Sequence, residues 1–69
     1  MNWDIAKGNW QQFEGKVQEQ WGKLTADQLK TIAGQRAILA GKIQEAYGIT
    51  KEEVEKQIAA FEERNKETA

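Results

Sequence analysis

The chain has 69 residues, a net charge of −1 from ten basic and eleven acidic side chains, and no Cys, His, Pro or Ser. That length gives one domain with a small core. The composition excludes disulfides, Cys/His metal sites and catalysis by a Ser, Cys or His nucleophile.

In chain order, the segment before Gly8 carries Trp3 and Ile5 and reads as a short turn folded onto the rest. Trp3 falls outside any strong periodicity, which makes it the candidate contact aromatic. Covering the small core is the competing role. Trp10, Phe13, Val17, Trp21 and Leu24 recur at spacings of three and four, forming one apolar stripe and predicting a helix near 10–21. Asn9, with Gln12 three residues on, is its expected cap. A short second helix is expected over 26–33 with Leu29, Ile32 and Ala33 inward, ended by Gly34. Leu39, Ile43 and Tyr47 mark a third helix. Val54, Ile58 and Phe61 mark a fourth over 51–64, followed by a tail, 65–69, expected to fray.

These helices are organised by an internal repeat with a 26-residue offset. Gly15-Lys16-Val17-Gln18-Glu19-Gln20-Trp21-Gly22 is echoed by Gly41-Lys42-Ile43-Gln44-Glu45-Ala46-Tyr47-Gly48. Gly22 and Gly48 suit the left-handed conformation that ends a helix. Thr25-Ala26-Asp27-Gln28 and Thr50-Lys51-Glu52-Glu53 both match the capping box. Leu24/Leu29 and Ile49/Val54 stand at the positions of hydrophobic staples. The expected fold is therefore all-α, a four- to five-helix bundle of two orthogonally packed hairpins related by approximate duplication, within a single domain over 1–69. Gly15 and Gly41 fall mid-helix. They mark either a weakened solvent face or the close approach of another backbone, from the other repeat or from a partner.

The chemistry offers little to a reaction. Glu52-Glu53 and Glu62-Glu63 are adjacent on helices and diverge by about 100°, so they do not converge as an acid/base pair. A chain of this size is also expected not to enclose a substrate pocket of about 300 Å³ or more. No enzyme activity, cofactor or metal is expected. Lys23, beside the start of the second helix, is the one cation placed for phosphate, with Lys16 and Lys30 near it in sequence. The turn lacks the Gly-x-Gly of helix-hairpin-helix DNA-backbone readers, and the second repeat has no lysine there. The charge balance, +2 through Lys42 and −3 beyond it, also disfavours nucleic acid. No stretch reaches the roughly 20 apolar residues of a membrane span, and the N-terminus has no signal-peptide pattern.

Met1-Asn2-Trp3-Asp4, Gly8-Asn9-Trp10, Gly15-Lys16-Val17, Trp21-Gly22-Lys23-Leu24-Thr25, Gly34, Gly41-Lys42-Ile43-Gln44-Glu45 and Tyr47-Gly48 together resemble the CsbD-like family of small bacterial proteins. The resemblance runs to about Phe61. It implies two orthogonally packed α-hairpins, similar to the SAM-domain-like arrangement, and an association with the general stress response. It defines no catalytic or binding residue to carry over. Glutamines at 11, 12, 18 and 20 stand where such proteins often have lysine. The resulting expectation is a monomeric, cytoplasmic, non-enzymatic stress-response protein acting through protein contacts or abundance, with Trp3 and Lys23 as candidate contact residues. A weak nucleic-acid-binding module and a partly disordered hydrophilic protectant are the alternatives.

Overall fold

In the computed structural model, which describes residues 1–67, five helices follow one another: α1 (Trp3–Gly8), α2 (Trp10–Gln20), α3 (Ala26–Ile32), α4 (Arg36–Tyr47) and α5 (Lys51–Arg64). The fold is all-α, with no strand among the described residues. Thr68 and Ala69, part of the expected tail, lie outside them. α2 and α5 fall where the apolar spacing placed them, because each has one stripe to bury, whereas α4 packs apolar residues on several sides, with Ile38, Ala40, Ala46 and Tyr47 partly buried around Leu39 and Ile43.

That stripe forms a single core. Phe13 and Val17 of α2, Leu29 and Ile32 of α3, Leu39 and Ile43 of α4, and Val54, Ile58 and Phe61 of α5 meet Trp21 and Leu24 from the α2–α3 turn. Each fully buried apolar side chain contributes about 1.5–3 kcal/mol. Two residues depart from expectation. Trp10 is only half-buried and lies at the core margin, its indole N–H donating to the Leu29 carbonyl at 2.7 Å. Ala33 is not an inward helical residue but the left-handed cap of α3, at φ 49°.

The first eight residues are more ordered than a turn. Asn2 caps α1 by accepting the Asp4 amide at 2.8 Å, which satisfies a first-turn donor. Ala6 is the fully buried residue of α1, whereas Ile5 is exposed. The helix therefore presents its small side chain to the core because it lies close against another segment. That segment is the α3–α4 turn. A Cβ built on Gly34 would sit 2.5 Å from the Lys7 Cα, and Gly34 has φ +79°, so both space and conformation require glycine there.

The caps are less symmetric than the sequence repeat. At Thr25 the box is complete: its hydroxyl accepts the Gln28 amide at 3.2 Å, and Gln28 Oε1 accepts the Thr25 amide at 2.9 Å. At Thr50 only the hydroxyl half forms, accepting the Glu53 amide at 3.1 Å. Glu53 instead accepts from Gln57 Nε2 one turn along α5. Gly48 ends α4 at φ 61°, as expected. Gly22 does not repeat this, since the cap of α2 is Trp21, at φ −128° and ψ 80°, and Gly22 has no positive φ. Asn9 makes no side-chain cap for α2. Its amide group turns back to the Ile5 carbonyl instead.

Candidate functional site

Trp3 reaches the site where three helices meet. Being on the first turn of α1, its indole lies 6.4 Å from the Phe61 ring and donates Nε1–H to Glu62 Oε2 at 2.6 Å. The same carboxylate oxygen accepts from Arg36 Nε at 3.1 Å. Arg36, the first residue of α4, also donates from a terminal nitrogen to Glu55 Oε1 at 2.9 Å. One guanidinium thus bridges two carboxylates two turns apart on α5, and one of those carboxylates holds α1. Partial burial by itself works against the Arg36 charge. The hydrogen bonds to Glu55 and Glu62, with their negative charges, outweigh it and hold the guanidinium above its ordinary pKa. The half-buried position makes these charge-assisted bonds stronger than a fully exposed pair.

Lys23 lies in the α2–α3 turn, and its surroundings come from the second repeat. Its backbone N–H donates to the Tyr47 hydroxyl at 3.1 Å, and its ammonium stands over the Tyr47 ring at 5.1 Å. That arrangement is worth about 0.5–1 kcal/mol at an exposed site. Lys23 therefore ties the α2–α3 turn to the end of α4. Trp3 and Lys23 share no partner, so they do not form one site.

The other aromatic residues are also engaged internally. Trp21 is buried, donates to Gln57 Oε1 at 2.8 Å, and packs on Phe61 with ring centroids 5.2 Å apart. Of the two readings of Gly15 and Gly41, close approach by the other repeat does not occur: a Cβ at either position meets nothing within 4 Å. The close backbone approach is at Gly34.

Two open surface grooves run along the helices, and neither encloses a substrate-sized cavity. One of about 360 Å³ is lined by Lys16, Glu19, Gln20, Phe61, Arg64 and Asn65. A wider one of about 700 Å³ runs along α4 and α5, over Ala37, Ala40 and Gly41, with Arg36, Lys51 and Glu55 at its margin. Among the described residues, no three acidic side chains are grouped to hold a metal. No described helix is long and apolar enough to cross a membrane.

The Arg36 bridge was not visible in the sequence. Arg36, Glu55 and Glu62 belong to no local motif, and Trp3 and Glu62 are 59 positions apart. The Asn2 cap did have a signal, a cap-forming residue directly before a short run containing Asp4.

Comparison with known proteins supports a family assignment. A profile of the CsbD-like family matches residues 4–56. The chain is 57% identical over 65 residues to the UPF0337 protein YjbJ of Escherichia coli K12, covering 94% of each protein. It is 55% identical over 65 residues to the YjbJ protein of Salmonella typhimurium, covering 94% of this chain and 93% of that protein. With the UPF0337 protein NE2439 of Nitrosomonas europaea the identity is 48% over 61 residues, covering 88% of this chain and 65% of the relative. The profile spans more than half of the chain and the similarity to YjbJ nearly all of it, so this chain belongs to the CsbD-like family.

Proposed function

We propose that this chain is a non-enzymatic, cytoplasmic protein of the bacterial stress response that works through contacts with other proteins. The observation that carries this reading is where its most reactive-looking groups are directed. The indoles of Trp3, Trp10 and Trp21, the Arg36 guanidinium and the Tyr47 hydroxyl each have a partner within the chain. Groups so engaged stabilise the fold and are not held ready for a substrate. Membership of the CsbD-like family supports the stress assignment.

Engagement of Lys23 with Tyr47 favours protein contact over nucleic-acid binding, since the phosphate-suited cation already packs on a ring. The test is survival of a deletion strain under osmotic and stationary-phase stress, complemented with the wild-type chain or with Lys23→Glu. Equal rescue by both is expected. No loss of survival on deletion would overturn the stress role. Rescue by the wild type alone, with salt-sensitive oligonucleotide binding lost in Lys23→Glu, would favour nucleic acid.

A further inference from the structure

Sulfur occurs once in this chain, in Met1, because there is no Cys. That thioether is therefore the one side chain that a hydroperoxide oxidises readily. Its place in the fold gives the reaction a structural consequence. Met1 is half-buried and packs against the core, directly before the Asn2 cap of α1. An apolar residue before a helix cap covers the fourth residue of the helix, which in α1 is Ala6. Ala6 is the fully buried residue of α1, and its amide bonds to the Asn2 carbonyl at 3.0 Å.

A six-residue helix does not stand on its own, so α1 is ordered by what it packs against. Besides Met1 and Ala6, its anchors are Trp3 on Phe61, Trp3 on Glu62, and Lys7 against Gly34. Converting the thioether to a sulfoxide puts a strong acceptor oxygen on a side chain that lies on apolar surface. The nearest donors along the chain are already used, the Trp3 indole N–H by Glu62 and the Asp4 amide by Asn2. The oxygen is satisfied by water, and the side chain leaves the core to reach it.

From this arrangement we infer that Met1 is an oxidant-responsive modification site, through which a hydroperoxide loosens α1 from α5. The reaction is an oxygen-atom transfer. A sulfur lone pair attacks the terminal oxygen of the hydroperoxide, the S–O bond forms as the O–O bond breaks, and the proton goes to the departing oxygen. Sulfur gives up two electrons, the peroxide accepts them, and water or an alcohol leaves. A sulfoxide reductase reverses the change. In the sulfoxide form α1 opens locally from its first residue, while α2 to α5 keep their packing.

Treatment of the folded chain with dilute hydrogen peroxide should add one oxygen atom, located at Met1 by peptide mass. In the oxidised chain, hydrogen exchange at the Ala6 amide and the Trp3 indole should quicken by about tenfold or more, with the core amides of α2 to α5 unchanged. Methionine sulfoxide reductase should restore the original rates. Met1→Leu, made by cleaving an N-terminal fusion so that Leu stands first, keeps the side-chain volume without the sulfur. Its α1 should exchange as in the unoxidised chain, with or without peroxide. A chain oxidised at Met1 whose Ala6 and Trp3 exchange at the original rates would overturn the inference. So would a Met1→Leu variant that peroxide loosens equally, or a folded chain whose Met1 peroxide leaves unoxidised.

Discussion

The Trp3 indole N–H and the Arg36 guanidinium converge on one oxygen of Glu62, at 2.6 and 3.1 Å. Glu62 is therefore the point at which the N-terminal helix, the start of α4 and the end of α5 are joined. Glu62→Ala removes the acceptor of the Trp3 indole and of Arg36 Nε, leaving Arg36 only its bond to Glu55, and is expected to cost about 1–2 kcal/mol, limited by the partial exposure of the pair. Urea unfolding measures the loss. The Trp3 indole N–H resonance should shift markedly in the same variant while those of Trp10 and Trp21 stay in place.

Arg36 gives a statement about pH. Its pKa is raised in the fold, so its own titration contributes stability that is complete below its ordinary range and is lost only in strong alkali. Arg36→Gln should accordingly destabilise the chain by the same amount at neutral and at mildly alkaline pH. A penalty that disappeared on going to mildly alkaline conditions would show that the guanidinium charge is not what Glu55 and Glu62 hold.

The two capping threonines look alike in sequence but differ in structure. Replacing either by Ala removes a helix-start acceptor and should cost about 1 kcal/mol. Their third-position partners should separate. Gln28→Ala breaks a reciprocated bond to the Thr25 amide, while Glu53 makes no bond to the Thr50 amide. Chemical denaturation should find Gln28→Ala the costlier of the two.

The glycines make a sharper contrast. Gly34→Ala forces a Cβ into the Lys7 backbone at positive φ, and should cost at least about 2 kcal/mol. Gly41→Ala and Gly15→Ala add a methyl in open space on a helix and should stabilise by up to ~1 kcal/mol each. Thermal or urea unfolding of the three variants tests both signs.

What was legible in the sequence follows from locality. The apolar spacings of α2 and α5, the Thr25 box and the Gly48 cap depend on residues a turn or less apart, and all but Trp10 at the start of the α2 stripe appear as read. The repeat misled where packing differs between its copies. Trp21 is buried against Phe61 and serves as the cap of α2, so Gly22 need not take the left-handed role that Gly48 has. Glu53 matches the capping-box position, but it faces Gln57 one turn along. Trp3 and Lys23 stood out as candidates because nothing near them in sequence explains them. Their partners, Glu62 and Tyr47, lie 59 and 24 positions away.

The proposed mode of action for this CsbD-like protein is contact with other proteins. Its most direct test is crosslinking in stressed cells, with the chain detected on a gel before and after nuclease treatment. A discrete, stress-dependent increase in mass that nuclease leaves unchanged is expected. An adduct that collapses on nuclease treatment, or no adduct at all under stress, would contradict it.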